Sequence, residues 1–239
     1  MSKVKIISDD WRATDWHGIE GRRRRWRVTD KGIELKGIGH RGSASQPELA
    51  AEVARAYRID LISILDTYQL DPHALEGLVM VSALVGTACN ESAGDPKAKR
   101  YEDHLSDYSF GLTQILTGTA HSLARGMGWP EQTAEDAKKW QLPDRPIPKG
   151  GKIGEWRRFL ELPYNALLLA AEFHKINDKR FGLKGDPVLW YACYNAGSLR
   201  ASDSNAWGIV HSVPALDSFC NFANDAWRYF TAAGDWSAS

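Results

Sequence analysis

Three short groups of residues in this sequence combine side chains suited to acid–base chemistry with small residues, and the glycine of the second group, Gly111, is predicted to let a ligand approach the backbone. They are Glu91-Ser92, Gly111-Leu-Thr-Gln114 and Tyr194-Asn-Ala-Gly197. An apolar stretch precedes Glu91, and an apolar environment disfavours the charged form of a carboxyl group. A glutamate kept protonated near neutral pH can act as a general acid, although a glutamate taken alone is more often an ordinary solvated residue. The three groups together predict a site with Glu91 as its acid.

The three groups resemble, in the same order, motifs of the lysozyme-like superfamily, namely the lytic transglycosylases and the goose-type lysozymes. Those families carry a catalytic glutamate followed by serine, then Gly-Leu-Met-Gln, then Ala-Tyr-Asn-Ala-Gly. The resemblance covers about residues 71–200. It implies a mainly α, lysozyme-like fold and an enzyme that cleaves the glycan strand of peptidoglycan, the polymer of bacterial cell walls.

The resemblance also implies a role for each site residue. Glu91 would protonate the bond between N-acetylmuramic acid and N-acetylglucosamine and then, as a carboxylate, draw the muramoyl 6-hydroxyl onto C1. This lytic transglycosylase reaction gives a 1,6-anhydro product and needs only one carboxylate. The residues implied to bind the substrate are Ser92, Gln114, Tyr194 and Asn195.

Departures from the motifs leave a second reaction open. Thr113 stands in place of methionine, Ala93-Gly94 stands in place of Phe-Asn-Pro, and the stretch between the first two groups is longer than in typical bacterial transglycosylases. These features are closer to the goose-type lysozymes, muramidases that hydrolyse the bond with acidic residues positioning the water. Glu102 is available for that role, and the predicted water-positioning residues are Asp103 and Asp107.

A different class of protein also stays open. The chain could keep the fold without the activity, as a catalytically silent wall-binding or structural module of a virion or a secretion machine. The joint presence of Glu91, Gln114 and Tyr194 favours an enzyme over such a module.

Composition limits the partners. The chain has 239 residues, 43% of them hydrophobic, and its 30 basic and 30 acidic residues cancel, so no global charge favours an anionic membrane as the partner, and no nucleic acid is predicted. The expected partner is the peptidoglycan glycan strand. The seven histidines and three cysteines show no metal-ligand spacing, so no metal or other cofactor is predicted. The sequence leaves the oligomeric state open.

The start of the sequence gives an expectation about location. The first ten residues contain no apolar core followed by a small-residue cleavage site, so no secretory signal is predicted. No window has the roughly 18 apolar residues of a membrane span. We therefore expect synthesis in the cytoplasm and action on the cell wall or in the periplasm, by a protein that is phage-encoded or is delivered by a secretion system or a virion.

Residues 1–45 are predicted to form a small β extension that could bind the wall, and residues 46–239 to form the helical domain. The extension has a strand-like segment from Val4 to Ile7 and a predicted hairpin around Asp30-Lys-Gly32. Arg22 to Arg25, with Arg27, form a basic cluster that either contacts the anionic wall or is a solvated strand edge. The residues that alternate with polar ones along the hairpin are Trp26, Val28, Ile33 and Leu35.

Helical periodicity predicts the remaining elements. They are a helix from Pro47 to Leu70, a buried central helix capped by Asp71 and ending at Glu91, a helix capped by Ser109 and ending near Gly126, a surface loop over residues 141–152, and helices starting at Pro163, Pro187 and Ser212. The core stripe of the last helix is Leu216, Phe219, Cys220, Ala223, Trp227 and Phe230. The three cysteines are predicted to be buried free thiols, with a pairing of Cys89 and Cys193 left open.

Overall fold

The structure, a computed structural model, describes residues 17–18, 25–29, 31–36, 46–103, 105–129, 153–196, 208–234 and 236. In this part of the chain there are eight helices and six short strands, so the predicted mainly α fold with a small N-terminal β hairpin is confirmed. The helices are α1 (Pro47–Ala56), α2 (Arg58–Thr67), α3 (Leu75–Ser92), α4 (Thr117–Gly126), α5 (Ile153–Leu160), α6 (Pro163–Phe181), α7 (Pro187–Ala196) and α8 (Gly208–Ala232). The strands are β1 (His17–Gly18), β2 (Arg25–Thr29), β3 (Gly32–Lys36), β4 (Lys99–Glu102), β5 (Asp107–Phe110) and β6 (Ile115–Leu116). The two antiparallel sheets have the orders β1-β2-β3 and β4-β5-β6.

Helix α3 lies at the centre of the fold, as predicted, because its residues are apolar or small on every face. All positions from Val79 to Cys89 are buried, and the helix packs against α1, α6, α7 and α8. A Cβ at Gly86 would lie 3.0 Å from side-chain atoms of Phe219 and Ala223, so glycine allows α8 to come close. The predicted core stripe of α8 is buried against this surface.

The N-terminal hairpin shares its core with the helices. Strands β2 and β3 pair with Val28 opposite Ile33, and both side chains are buried. The buried Trp26 donates a hydrogen bond from Nε1 to Oδ2 of Asp186 at 2.9 Å, at the start of α7. The predicted domain boundary after residue 45 stays a prediction. The predicted strand at residues 4–7 and the arginines at 22–24 lie outside the described residues.

Two predicted helix boundaries in the part of the chain before Glu91 are wrong. The helix predicted from Pro47 to Leu70 is two helices, because the chain leaves helical geometry at Tyr57, where φ is −113°. The central helix begins at Leu75 rather than beside Asp71. The carboxylate of Asp71 accepts a hydrogen bond from the backbone N–H of His73 at 2.9 Å and so closes a separate turn before the helix.

A second small sheet replaces part of a predicted helix. Ser109 was expected to cap a helix, but it lies in β5, and α4 begins only at Thr117. Asp107, the first residue of β5, caps α4 from a distance in sequence, because its carboxylate accepts hydrogen bonds from the hydroxyl of Thr117 and, at 3.0 Å, from the N–H of Gly118. The cross-strand contact of Tyr101 with Tyr108, with ring centroids 4.7 Å apart, supports the β4–β5 pairing instead.

Other predictions about the helical part are confirmed, except for the start of the last helix. Helix α6 runs from Pro163 to Phe181, and Asp186 caps α7 by accepting hydrogen bonds from the N–H groups of Val188 and Leu189 at 2.9 and 3.2 Å. All three cysteines are buried and free. The last helix begins at Gly208, four residues before the predicted start. The predicted loop at residues 141–152 lies outside the described residues. Among the helices that the structure describes, none has the length and the hydropathy of a membrane span.

Candidate active site

Glu91 lies in the last turn of α3, where the helix ends in a left-handed turn. Ala93 has φ 52° and Gly94 has φ 80°, and a Cβ on Gly94 would lie 2.5 Å from the side chain of Val53. The C-terminal end of a helix carries a partial negative charge, which opposes ionisation of a carboxyl group placed there. Glu91 is half-buried, so a ligand can reach it although most of its surroundings are protein.

Helix α7 supplies the residues that hold Glu91. The hydroxyl of Tyr191 donates a hydrogen bond to Oε1 of Glu91 at 2.5 Å, and the side chain of Asn195 also bonds to Glu91. Residues four apart lie on the same face of a helix, which is why both reach the same carboxyl group. Tyr191 is itself fixed, because its ring stacks on Phe219 with centroids 4.4 Å apart and its oxygen accepts a hydrogen bond from Nδ2 of Asn90 at 2.5 Å.

The environment of Glu91 favours its neutral form. Burial raises the pKa of Glu91 above the usual value of a glutamate, and the nearby charge of Glu102 adds to the increase. The hydrogen bonds from Tyr191 and Asn195 and the charge of Arg100 oppose this increase without reversing it. The carboxyl group therefore stays protonated to a higher pH than a free glutamate, which is the requirement for a general acid.

Strand β4 brings one pair of charges to Glu91. Successive residues of a strand point to opposite faces, so Arg100 and Glu102 share a face, and Nε of Arg100 lies 3.3 Å from Oε1 of Glu102. Both charges act on Glu91. Of the two residues predicted to position water, Asp103 is exposed in the turn after β4, and Asp107 is bound to the start of α4. Among the acidic residues of this hairpin, Glu102 is the one whose charge affects the pKa of Glu91.

Two of the predicted substrate-binding residues connect α3 and α7 to the turn at residues 111–114. The hydroxyl of Ser92 donates to the carbonyl of Leu112 at 2.7 Å, and the hydroxyl of Tyr194 donates to the carbonyl of Thr113 at 2.7 Å. These hydrogen bonds fix the position of the turn relative to Glu91. Ser92 and Tyr194 therefore act in this structure by positioning the turn at residues 111–114.

Gln114 lies in the same turn with φ 48°. Its Nε2 donates to the carbonyl of Gly111 at 2.9 Å, and its Oε1 accepts from the hydroxyl of Ser109 at 3.1 Å. A glutamine amide has two N–H donors and an oxygen with two lone pairs, so one donor and one lone pair stay available to a ligand. Gln114 is half-buried, which leaves this amide within reach of solvent.

Glycine is required at position 111 for a structural reason that the sequence did not reveal. The motif suggested that a ligand approaches the backbone at this glycine. In the structure the approach is made by the chain itself, because a Cβ at Gly111 would lie 2.1 Å from the carbonyl oxygen of Leu160 at the end of α5, and φ at Gly111 is 76°. The glycine is therefore required for packing of the turn against α5.

A buried histidine of α6 packs against aromatic side chains of α7. His174 of α6 is fully buried, its ring stacks on Trp190 with centroids 5.7 Å apart, and it lies 5.4 Å from the ring of Tyr194. Burial lowers the pKa of His174 to about 3, so its ring is neutral at ordinary pH. His174 was not predicted, and neither was the role of Tyr191. The signal in the sequence that could have identified Tyr191 is its spacing of four residues from Asn195, which places both side chains on the same face of a helix.

Comparison of the chain with protein-family models finds no match, and comparison with curated proteins also finds none. The functional assignment therefore depends on the chemistry around Glu91 and on the resemblance of the three motifs.

Proposed function

We propose that this protein cleaves the β-1,4 bond between N-acetylmuramic acid and N-acetylglucosamine of peptidoglycan, with Glu91 as both acid and base. The observation that carries the proposal is a reachable carboxyl group with a raised pKa, oriented by the hydroxyl of Tyr191. The motif resemblance supports the choice of substrate. The leading reaction is lytic transglycosylation.

The proposed reaction needs one protein carboxyl group. Neutral Glu91 gives its proton to the glycosidic oxygen as the bond to C1 breaks, so N-acetylglucosamine leaves with a hydroxyl group. The resulting carboxylate takes the proton of the muramoyl 6-hydroxyl while that oxygen bonds to C1. Glu91 ends protonated, and no water is consumed. Tyr191 and Asn195 hold Glu91 in place and stabilise its charged form between the two steps.

Mass spectrometry of digested peptidoglycan tests this function. We expect anhydromuramoyl ends, which are lighter by one water than the reducing ends left by hydrolysis. Products with reducing ends alone would assign the protein to the muramidases. A purified, folded protein that leaves peptidoglycan uncut would support the silent wall-binding or structural module.

Glu102 gives a specific reason to keep hydrolysis as the second candidate. Hydrolysis uses a second carboxylate to activate water, and Glu102 is the acidic residue whose charge acts on Glu91. Glu102→Gln separates the reactions, because a hydrolase of this kind should lose most of its rate whereas a transglycosylase should keep it. We expect the rate at the optimal pH to be kept.

The charges on β4 predict opposite shifts in the pH profile. Arg100 lowers the pKa of Glu91 and Glu102 raises it. Arg100→Gln should therefore keep Glu91 protonated to higher pH and extend activity into more alkaline buffer, and Glu102→Gln should move the alkaline loss of activity to lower pH. Each change also removes the partner's neutralising charge, which reinforces the shift. The measurement is the rate of clearing of a peptidoglycan suspension against pH.

Lys97→Gln is the control for these variants, because it removes an exposed cation just before β4. It should leave the profile in place. Shifts of the same sign in Arg100→Gln and Glu102→Gln would contradict Glu91 as the acid that limits activity at alkaline pH.

A further inference from the structure

Asn90 and Glu91 are consecutive residues of α3, and both side chains contact the hydroxyl group of Tyr191. Nδ2 of Asn90 donates a hydrogen bond to the tyrosine oxygen at 2.5 Å, and the tyrosine hydroxyl donates to Oε1 of Glu91 at 2.5 Å. Tyr191 is fully buried, and the planes of its ring and the ring of Phe219 differ by only 2°. The tyrosine oxygen is therefore held between an amide and a carboxyl group.

The amide of Asn90 fixes the direction of the tyrosine proton. A phenol hydroxyl has a single proton and can rotate it towards either neighbour, whereas an amide nitrogen is only a donor. With Nδ2 of Asn90 against the oxygen of Tyr191, only Glu91 of these two neighbours can accept the tyrosine proton. The three groups thus form two hydrogen bonds that run in the same direction, and each bond in such a chain strengthens the next.

The direction of this chain also decides which oxygen of Glu91 carries the acid proton. A neutral carboxyl group has one hydroxyl oxygen and one carbonyl oxygen, and the carbonyl oxygen is the acceptor for a neighbouring donor. Oε1 of Glu91 accepts from Tyr191, so the proton of the neutral form lies on Oε2. The amide of Asn195 contains both donors and an acceptor, so its hydrogen bond to Glu91 is compatible with this arrangement.

Removal of the Asn90 amide would make the opposite arrangement available. The tyrosine hydroxyl would then be free to rotate away from Glu91, and Oε1 could carry the acid proton and donate it to the oxygen of Tyr191. Because Tyr191 is fully buried, a proton bound in this way could not be transferred to a ligand. A fraction of the neutral carboxyl groups would therefore be inactive as acids.

We propose that Asn90 is a positioning residue of the candidate active site. Its amide directs the hydroxyl proton of Tyr191 to Oε1 of Glu91 and so keeps the acid proton on Oε2. Asn90 acts on the reaction only through Tyr191. The further step, that Oε2 gives this proton to the glycosidic oxygen, rests on the proposed function.

The pKa of Glu91 responds to this chain of hydrogen bonds. The groups that act on Glu91 are Tyr191, Tyr194 and Asn195 of α7 and Arg100 and Glu102 of β4. The hydrogen bond from Tyr191 lowers the pKa of Glu91, because a donor stabilises the carboxylate. A tyrosine that has lost the hydrogen bond from Asn90 is a weaker donor, so the pKa of Glu91 should rise.

Carbon NMR measures this pKa without any substrate. The protein is labelled at the carboxyl carbons of its glutamates, and the resonance of Glu91 is assigned by its loss in Glu91→Gln. Asn90→Leu removes the amide at nearly constant size and should raise the pKa of Glu91. Tyr191→Phe should raise it more, and the double variant should have the pKa of Tyr191→Phe alone, because no hydroxyl is then left for Asn90 to direct.

Asn221→Leu is the matched control. Asn221 is a half-buried asparagine of α8 and is not among the groups whose charges or hydrogen bonds act on Glu91, so this variant should leave the pKa of Glu91 unchanged. Asn90→Ala is the second variant in case Asn90→Leu fails to fold, and the same rise is expected.

Catalysis supplies a second readout. Asn90→Leu should clear a peptidoglycan suspension severalfold more slowly than the unmodified protein at the optimal pH. Its alkaline loss of activity should move to higher pH, because a raised pKa keeps Glu91 protonated in more alkaline buffer. A rate and a pH profile equal to those of Asn221→Leu would overturn the proposal.

Two NMR results would also overturn it. One is an unchanged pKa of Glu91 in Asn90→Leu, and the other is a rise of equal size with and without the hydroxyl of Tyr191. These titrations use no peptidoglycan, so their failure leaves Glu91 as the proposed acid. A protein that cuts no glycan can still show the expected changes in pKa.

Discussion

Glu91→Gln should remove the ability to clear a peptidoglycan suspension while leaving the fold unchanged. Glutamine has nearly the same shape as glutamate and can still accept the hydrogen bond from Tyr191, but it has no acidic proton to give to the glycosidic oxygen. General acid catalysis contributes at least roughly a hundredfold to such rates, so we expect a loss of that size or larger. Both proposed reactions use this proton, and the loss should occur in either.

Glu52→Gln is the matched control for this variant. Glu52 is an exposed glutamate of α1, so its replacement makes the same chemical change away from the site. Both variants should show the far-ultraviolet circular dichroism and the unfolding midpoint of the unmodified protein. A Glu91→Gln protein that clears the suspension at the rate of the control would exclude Glu91 as the acid.

The position of Glu91 could be predicted from sequence because the features that determine it are local. The apolar residues from Val79 to Cys89 are continuous, and a helix buried on all faces places the residues that follow it at the edge of the core. The hydrogen bond from Tyr191 joins residues separated by 100 positions. Such a contact depends on the packing of α7 against α3 and α8, which no local pattern records.

The two small sheets show why one was predicted and the other was not. In the first hairpin, Trp26 and Val28 alternate with polar residues before Asp30-Lys-Gly32, a strong turn signal. Strand β4 contains only Lys99, Arg100, Tyr101 and Glu102, and no apolar alternation distinguishes it from a loop. Its pairing with β5 became clear only from the structure, as did the finding that the charge of Glu102, rather than that of Asp103, acts on the pKa of Glu91.

The turn at residues 111–114 was predicted as part of the site, but the reason predicted for its glycine was wrong. Gly111 was interpreted as a point of ligand approach, and Gln114 as a substrate-binding residue. The structure places the carbonyl of Leu160 against Gly111 and leaves Gln114 with donor and acceptor capacity. A motif can thus identify an important residue correctly while the reason for that residue lies in packing.

Gly111→Ala should accordingly lower the free energy of unfolding by about 3 kcal/mol, the sum expected from an overpacked contact and a left-handed backbone in a residue with a Cβ. The added methyl group would lie 2.1 Å from the carbonyl oxygen of Leu160, so either the turn or the end of α5 must move. The turn carries Gln114, which bonds to the carbonyl of Gly111, and peptidoglycan clearing should fall as well. Urea unfolding measures the change in stability.

Gly154→Ala is the control that separates this packing effect from a general effect of adding a methyl group. Gly154 is an exposed residue of α5, and a Cβ there would have no atom within 4 Å. Alanine is favoured over glycine in a helix by roughly 0.5–1 kcal/mol, so this variant should unfold at the same urea concentration as the unmodified protein or a higher one. If Gly111→Ala were equally stable, the close approach of Leu160 could not be the reason for glycine at position 111, and ligand contact would again be the better explanation.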